Sequence, residues 1–448
     1  MNAETKFNLA DSQEETKTEA KFDLSGDQVR AQDLSCKWYE AFRDQYGTPD
    51  MDEGEFDLSK DTGKAAAVKP LDHQIFRLFG YAGTGKTTTI RSIIKELDIA
   101  GGVGFAAFTG KAALVMKKQG LPARTIHSLI YKVIEPNRKL CQELYHKVHK
   151  EGRSDLKSEL EKAQQVGFTF NRESEVRDMD LLVLDECSMV NDAMLNDLLR
   201  FRVPIMVLGD PGQLPPIEGT GALIRDEPDI ILTEIHRQAG DSPIINFATR
   251  ARNGITIPRT LDGAAQCYEG ATLQDLVPAI QKFEPQVLCG KNATRRKLNQ
   301  FLRPGKGVFP KVGERLICLR NDSGQELFNG MFAEVLAVGD VFDSSIELQI
   351  QTELDGAAPQ TVRALSAHFE AYARPKALEE VKWWQRTDTQ EFDFGYAITV
   401  HKSQGSQWEN VLLMDDNFFV WDKPMRKRWL YTAITRAAEN LTLISKGK

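Results

Sequence analysis

Short apolar runs alternate with stretches of helical periodicity along most of the chain from residue 73 onward. The runs HQIFRLFG, VGFAAFT, DLLVLDE and VPIMVLGD, followed later by PQVLCG and NVLLMDD, each end in glycine, threonine or acidic residues. Such alternation predicts an α/β fold in which parallel sheets are joined by crossover helices. Because sheets of this kind bind their ligands at the carboxyl ends of the strands, the polar run ends indicate where a site lies.

Two segments interrupt this alternation. Residues 131–178 form a Lys-rich stretch of helical periodicity, although a hairpin could lie within VGFTFNRESEVR. Residues 306–395 contain short strand-like runs such as ERLICLRND and SIELQIQ, which predict a small β-barrel module. Upstream, FDLSGDQVRAQDLSCKWYEAF predicts an amphipathic helix capped by Ser25 or Asp27. With 448 residues, the chain is long enough to form two or more hydrophobic cores.

The charge is unevenly distributed. In total, 57 Lys and Arg against 64 Asp and Glu give a net charge of −7, which by itself argues against a polyanionic partner. Residues 1–70 hold 16 acids and 9 bases; within them, 1–20 predict a disordered acidic tail and 47–70 a flexible insertion. Residues 286–320 hold 9 bases and 1 acid, whereas 321–398 hold 5 bases and 14 acids. Because local potential steers a polyanion, the composition does not exclude a nucleic acid.

The cysteine pattern and the first residues of the chain predict the cellular compartment. The 6 cysteines are scattered, with no pair at metal-ligand or redox-motif spacing, as is typical of a reducing environment. The first residues are polar and acidic, unlike a leader peptide, and no apolar run approaches the ~18 residues of a membrane span. The sequence therefore predicts a soluble cytoplasmic protein without a membrane partner.

The strongest chemical motif is GYAGTGKT at 80–87, which follows a predicted strand and opens a predicted helix. Gly83 and Gly85 let the backbone amides turn toward a triphosphate, and the helix N-terminus adds positive potential. Lys86 would reach the β and γ phosphates, and the Thr87 hydroxyl would be a Mg²⁺ ligand. The motif predicts an ATP site.

Two further strand ends carry candidate residues for hydrolysis. LLVLDECSM delivers Asp185, a second Mg²⁺ ligand, and Glu186, which would polarise the attacking water. VLGDPGQLPPI places Gln213 where its amide could contact the γ phosphate. The alternatives are an ordinary strand end with two solvated acids and a Pro-rich loop.

These motifs belong to a longer series. GYAGTGKT, FAAFTGKAA, TIHSLI, LLVLDECSM, LGDPGQLPPI, LTEIHRQ, ITVHKSQGSQWENVLLM and LYTAITRAAENLTLI follow one another along the chain. In order and spacing the series resembles the motifs of superfamily 1 helicases, most closely the RecD-like, Dda-like branch (superfamily 1B). The resemblance extends from about residue 22 to 445, and the HKSQG and YTAITRA strings are highly specific.

The resemblance implies a domain layout of two RecA-like P-loop motor domains, each carrying an insertion. The implied segments are 21–130 with 179–238 for the first motor domain, 131–178 for a pin-like or helical insertion, 239–305 with 396–448 for the second motor domain, and 306–395 for an SH3-like β-barrel.

The resemblance also implies roles for residues at the ATP site. Gln28 occupies the position of the family's adenine-reading glutamine, a surface glutamine being the alternative. Arg237 and Arg436 match the family's two arginine fingers, so ATP binding would draw the two domains together. The implied catalytic residues are Lys86, Asp185, Glu186, Gln213, Arg237 and Arg436. The implied ATP-binding residues are Gln28, Gly80, Ala82, Gly83, Thr84, Gly85, Lys86, Thr87, Thr88 and Gly405.

Residues at other strand ends are implied to contact a DNA backbone, because hydroxyl, amide and ammonium donors suit phosphate oxygens. They are Thr109, Gly110, Lys111, Thr125, His127, Ser128, Asn292, Arg295, Thr399, His401, Lys402 and Gln404. His127 could instead be a packing residue, and Lys402 and Gln404 could serve the ATP cleft. The basic stretch 290–306 is expected to be part of the track for single-stranded DNA, a solvated helix face being the alternative.

Taken together, the resemblance implies an ATP- and Mg²⁺-dependent DNA helicase, a monomeric motor moving 5′ to 3′ on single-stranded DNA and unwinding forked duplexes. It implies a bacterial or phage-infected cell, and roles in DNA replication, recombination or repair with protein partners of those processes. Two alternatives stay open: a motor subunit of a DNA exonuclease complex, and a nucleic-acid-binding module for which ATP is only a switch.

Overall fold

The computed structural model describes most of the chain between residues 24 and 445. The expected acidic tail at 1–20 lies outside the described residues, as does nearly all of the expected insertion at 47–70. The ranges left out are 1–23, 48–70, 72, 98, 100–101, 135–136, 165–166, 216–221, 225, 236–241, 262, 271–273, 323, 355, 420 and 446–448. Within the described part, no helix has the length and apolar character needed to cross a membrane.

Strands and helices alternate over most of the chain. Up to residue 253 the elements are α1 (Gly26–Tyr46), β1 (Ile75–Gly80), α2 (Lys86–Leu97), β2 (Val103–Ala107), α3 (Gly110–Lys118), β3 (Ala123–Thr125), α4 (Ile126–Ile130), β4 (Tyr131–Ile134), α5 (Arg138–His149), α6 (Lys157–Gln164), β5 (Gly167–Phe170), β6 (Leu181–Asp185), α7 (Asp192–Leu199), β7 (Ile205–Gly209), β8 (Ile230–Leu232) and α8 (Pro243–Asn253). Beyond it they are β9 (Ala265–Glu269), α9 (Val277–Phe283), β10 (Gln286–Cys289), α10 (Asn292–Leu302), β11 (Arg315–Cys318), β12 (Phe332–Val341), β13 (Ser345–Thr352), β14 (Gln360–Leu365), α11 (Ala367–Glu370), α12 (Trp383–Thr387), β15 (Phe392–Phe394), β16 (Ala397–Thr399), β17 (Trp408–Met414), α13 (Lys423–Ile434) and β18 (Ala437–Ser445).

The first sheet is parallel, with strand order β3-β2-β6-β7-β1-β8. Its central strands are buried on both faces, which explains their continuous apolar runs. One face packs against α1, α2 and α3, and the other against α4 and α7. The expected helix at the start of the described chain is α1. Its N-cap Ser25 forms a capping box with Gln28.

The second sheet is also parallel, with strand order β16-β10-β17-β18-β9. Helices α8 and α13 pack together over this sheet, around the fully buried Trp429. The same core includes Leu214, which follows the first sheet, so the two sheet units are joined by an apolar contact as well as by polar ones. The prediction of an α/β fold with parallel sheets is confirmed.

The two segments that interrupt the alternation form separate structures. Between α4 and the first sheet's β6, strands β4 and β5 pair as an antiparallel two-stranded ribbon, with α5 and α6 between them. The segment after α10 forms an antiparallel sheet of order β14-β13-β12-β11-β15 around its own core. A bridge between Ala364 and Gln390 adds a contact beyond the edge strand β14.

Candidate functional site

The loop between β1 and α2 has the backbone shape of a phosphate-binding loop. Gly83 and Gly85 have φ of 80° and 75°, a region that residues with a side chain seldom adopt. The Lys86 ammonium donates to the carbonyl oxygens of Gly80 (2.7 Å) and Tyr81 (3.3 Å), so the lysine lies across the mouth of its own loop. An anionic ligand would compete with these two weak acceptors for the ammonium group.

The first turn of α1 contacts this loop. Gln28 is fully buried, and its Nε2 donates to the carbonyl oxygens of Thr84 (3.1 Å) and Gly85 (3.3 Å). Its Oε1 accepts the backbone N–H of Ser25 at 2.9 Å. The structure therefore places the predicted adenine-reading side chain against the phosphate loop.

The predicted acids lie at the end of β6. The Asp185 carboxylate accepts the backbone N–H of Glu186 at 2.8 Å, and Glu186 has a left-handed φ of 51°. Burial raises the pKa of both carboxyl groups, to about 7 for Glu186, while the positive charges of Arg436 and Lys86 lower the pKa of Glu186. The predicted hydrolytic residues thus meet at one sheet edge, in an environment where a carboxyl can exchange a proton near neutral pH.

These groups fit a magnesium ion held together with nucleotide phosphates. Thr87 and Asp185 offer a hydroxyl and a carboxylate, the hard oxygen ligands that Mg²⁺ prefers. Burial raises the pKa of Asp185 and Glu186 by more than the nearby positive charges lower it. A bound cation would supply further positive charge.

The second sheet unit reaches into this site through α13. The Tyr431 hydroxyl accepts the backbone N–H of Ala82 at 2.8 Å and donates to the Asp210 carboxylate, also at 2.8 Å. The Thr432 hydroxyl accepts the backbone N–H of Leu214 at 2.9 Å. These bonds join the phosphate loop and the end of β7 to one helix of the other unit, so the cleft between the units is closed by polar contacts.

Other predicted residues line the same cleft. Arg436 is buried and donates to the carbonyl oxygens of Thr432 (3.1 Å) and Ser406 (3.0 Å). Gln404 is buried as well and donates to the carbonyl oxygen of Leu214 at 3.0 Å, which places it at the contact between the units. Gln213 donates to Asp210 at 3.4 Å, and its buried Oε1 has no hydrogen-bond partner among the described residues.

Arg237 lies outside the described residues. Thr88, next to Thr87 in the first turn of α2, is partly exposed. Gly405 has a left-handed φ of 72° and lies against Thr109 of the first unit, whose hydroxyl would be 3.2 Å from a side-chain carbon at position 405. A larger residue at 405 would thus be strained by its backbone and would press on that loop.

The predicted DNA contacts at the end of β2 are covered by the antiparallel sheet. Thr109 caps α3 through the backbone N–H of Ala112 (3.1 Å), and a side chain on Gly110 would collide with Phe328. The Lys111 side chain is only 10% exposed and lies 3.2 Å from the Glu353 carboxylate, over the ring of Phe332. Lys111 is therefore an ion-pair partner of the insertion in this structure.

The residues at the end of β3 that were predicted to contact DNA are two polar residues at a helix cap and one histidine. Thr125 caps α4 by accepting the backbone N–H of Ser128 at 3.1 Å. The imidazole of His127 packs among Phe108, Tyr131 and Phe168, with ring centroids 5.5–5.7 Å apart. Burial lowers its pKa, so the ring is neutral near pH 7.

The strand ends of the second sheet also carry residues that were predicted to contact DNA. Arg295 donates to Asn292 (3.2 Å) and pairs with Asp393 of the antiparallel sheet, with 13% of the Arg295 side chain exposed. Thr399 lies at the end of β16, and Lys402 donates to Asn329 at 3.4 Å. His401 packs against the ring of Phe418 at 5.9 Å.

The loop after β17 connects this edge to α13. The Asp416 carboxylate accepts the backbone N–H groups of Gly290 (3.2 Å) and Lys291 (2.9 Å) at the end of β10. Asp422 caps α13, and Arg426 in its first turns pairs with Asp415. Both ends of α13 are thus attached to strand ends that carry predicted site residues.

Several of these residues are not evident from the motifs alone. Tyr431 and Asp210 lie within quoted motifs, but only the fold brings them together. The acidic stretch 321–398 contains Glu353, Asp393 and Asn329. Its contrast in charge with the basic stretch before it was the sequence feature that could have indicated these contacts. Trp384, in the same acidic stretch, contacts Tyr145 of α5 edge-on at 4.7 Å.

Comparison with known proteins gives two family matches. Residues 62–266 match an AAA domain, and residues 394–444 match a UvrD-like helicase C-terminal domain. An ATP-dependent RecD2 DNA helicase of Deinococcus radiodurans is 28% identical over 396 residues, covering 82% of this chain and 46% of that protein. The ATP-dependent DNA helicase dda of Enterobacteria phage T4 is 29% identical over 268 residues, 54% of each chain.

The chain spans about half the length, or less, of these curated relatives. Among solved structures, a Pif1 helicase from Candida albicans matches with a TM-score of 0.48 and 19% identity over 94% of both chains.

Proposed function

We propose that the chain is an ATP-dependent DNA helicase related to the RecD-like branch of superfamily 1, because residues 62–266 match an AAA domain, residues 394–444 match a UvrD-like helicase C-terminal domain, and similar proteins are ATP-dependent DNA helicases. The observation that carries the proposal is the cleft between the two sheet units. There the phosphate loop, the acids of β6 and helix α13 of the other unit lie close together. A nucleotide bound there touches both units.

The residues of the cleft have distinct roles in ATP hydrolysis. Lys86 would leave the loop carbonyls to bind the β and γ phosphates, and Thr87 and Asp185 would hold Mg²⁺, which would neutralise phosphate charge. Glu186 accepts the proton of the attacking water, a role to which a carboxyl with a pKa of about 7 is suited. Arg436 adds positive charge beside Glu186. The amide oxygen of Gln213 is an acceptor within the cleft that no described residue uses.

Opening and closing of the cleft would drive movement along a single strand. The Tyr431 and Thr432 bonds tie α13 to the phosphate loop and to the end of β7. Because ATP binds between these elements, its binding and release change how the two units are held. The strand ends of both sheets, with Thr125 and Thr399 among the donors, would form the track for the DNA backbone.

The ribbon β4–β5 is the proposed strand separator. Val133, Ile134 and Phe168 on this ribbon are 58%, 52% and 54% exposed, an apolar surface that water disfavours. Such side chains can be placed at a fork, where they replace the stacking partner of the last base pair. The ribbon is the feature that would turn movement along one strand into unwinding.

The antiparallel segment is proposed to be an SH3-like barrel that covers the track. Its strands β11–β15 bury a separate core, and its acids hold Lys111 and Arg295. With the barrel over the strand ends, DNA would be enclosed between the motor units and the two insertions. The family resemblance adds the finer expectations of 5′-to-3′ movement, a monomeric motor and work in replication, recombination or repair in the cytoplasm.

The decisive experiment is single-turnover unwinding of forked substrates with a 5′ or a 3′ single-stranded tail, with DNA and RNA tails compared. We expect ATP-dependent unwinding from the 5′ DNA tail and ATP hydrolysis that single-stranded DNA stimulates. Unwinding only from 3′ tails would refute the polarity. Hydrolysis that is indifferent to DNA would refute the motor, and normal ATP turnover by a Glu186→Gln variant would refute the role assigned to Glu186.

A further inference from the structure

Trp421 is the most exposed large apolar residue in the part of the chain that the structure describes, with 76% of its surface accessible to water. It lies between β17 and α13, directly before Asp422, the N-cap of α13. We propose that Trp421 is a stacking platform for a base of single-stranded DNA. The inference rests on the proposed function, because it needs a strand to lie along the carboxyl edge of the second sheet.

The loop after β17 lies beside the strand ends proposed as the DNA track. In the second sheet β10 pairs in parallel with β16 on one side and with β17 on the other, so the three carboxyl ends are neighbours at one edge. The Asp416 carboxylate of the loop accepts the backbone N–H groups of Gly290 (3.2 Å) and Lys291 (2.9 Å), directly before Asn292. A DNA strand that passes Thr399 and Asn292 would therefore reach this loop next.

The inner side of the loop is held by close packing. A side-chain carbon added to Gly290 would lie 2.3 Å from Phe418, so the loop contacts the end of β10 directly. The ring centroids of Phe418 and Phe419 lie 4.2 Å apart, and 5.9 and 6.2 Å from that of His401. Phe419 has a φ of 54°, a conformation that costs a bulky residue free energy and that recurs at functional sites.

Two aromatic residues of this loop are thus packed, and the third is not. Phe418 and Phe419 lie against the core of the second unit, whereas the indole of Trp421 leaves a large apolar area in water. A DNA base has a flat π-face that can cover such a ring whatever its sequence. Lys423, two residues further on, is exposed and forms no ion pair with a described side chain, so a cation lies close by for the adjoining phosphate. An aromatic face beside a cation is typical of sites for single-stranded nucleic acid.

The test compares an oligothymidylate with an abasic oligonucleotide of equal length, which carries the same phosphates but has no base to stack. Fluorescence anisotropy without nucleotide gives the affinity of the full chain and of its Trp421→Ala and Trp421→Phe variants, each at several salt concentrations. Phe283→Ala is the matched control, because Phe283 is a 41% exposed aromatic residue that ends α9 just before β10 begins, at the opposite edge of the same sheet. Thermal unfolding checks that each variant is folded.

We expect Trp421→Ala to bind the oligothymidylate roughly 5- to 30-fold more weakly and to bind the abasic strand as the wild type does. Trp421→Phe should recover most of the loss because it keeps an aromatic face, and Phe283→Ala should match the wild type. The salt slope of Trp421→Ala should be unchanged, since no phosphate contact is removed.

Two results would overturn the inference. One is an equal loss of affinity for both strands in Trp421→Ala, and the other is an oligothymidylate affinity of that variant within about twofold of the wild type. A wild type that binds neither strand would instead refute the proposed function.

Discussion

Replacing Tyr431 with phenylalanine removes one hydroxyl that joins the two sheet units at the nucleotide site. The ring remains, so its packing is kept against Gly212, where even one added carbon would lie 2.8 Å from the tyrosine ring. The change deletes the acceptor of the Ala82 N–H and the donor to Asp210, each at 2.8 Å. The variant therefore isolates the polar contact that closes the cleft.

The magnitude follows from the two bonds. A neutral backbone bond contributes about 1 kcal/mol, and a bond to a carboxylate about 1.5–3 kcal/mol. The bond to the Asp210 carboxylate lies at the low end of its range, because Asp210 keeps two other donors, the Gly212 N–H at 2.9 Å and the Gln213 amide at 3.4 Å. The closed arrangement should lose about 2.5 kcal/mol, which is about 70-fold in an equilibrium constant.

The assay is kcat/KM for ATP with saturating single-stranded DNA, since that ratio reports the step from free enzyme to the closed transition state. Tyr268→Phe is the matched control, because its hydroxyl donates to Gln266 within β9, away from the cleft. We expect the kcat/KM of Tyr431→Phe to fall by about 70-fold and that of the control to be unchanged. A Tyr431→Phe value within about twofold of the wild type would show that the contact does not contribute to closure.

Three further predictions concern the acids, the ribbon and the basic stretch. Because a protonated carboxyl cannot accept a proton, kcat/KM for ATP should fall as the pH drops through about 7, the pKa of Glu186 in the nucleotide-free protein; Glu186→Gln should bind ATP but turn over slowly, with a flat kcat/KM profile between about pH 6 and about pH 8. Phe168→Ser should slow unwinding of a fork while leaving ATPase stimulation by single-stranded DNA intact; equal loss of both would contradict its role as separator. Arg295→Ala leaves the Asp393 charge buried and should lower the free energy of unfolding by about 3 kcal/mol, seen in thermal denaturation. Lys297→Ala, at an exposed site on the same helix, should leave stability unchanged and reduce the salt dependence of DNA binding.

Local patterns were sufficient to predict the sheets and the nucleotide loop. The buried strands of the first unit are continuous apolar runs, and their ends are the polar residues that the site uses. The glycines of 80–87 specify a backbone shape through their φ angles, independently of distant residues. For these elements the information lies within a few neighbouring residues.

Contacts between distant segments could not be predicted in the same way. That Lys111 lies beside Glu353, and Arg295 beside Asp393, depends on where the antiparallel sheet docks. The sequence showed only that acids follow bases along the chain. Likewise, Gln28 could be matched to a motif position, but its partners are carbonyls 56 and 57 residues away.

Helix α13 acts mechanically as a rod between two sites. Its 12 residues span about 18 Å without an interior glycine, and its proline lies in the first turn, where it does not bend the helix. One end is bonded to the phosphate loop by Tyr431, and the other is clamped by Asp422 and Asp415 to the loop that holds β10. Because the helix is straight, tilting one end displaces the other. A small shift at the nucleotide site would therefore move the loop at the end of β10.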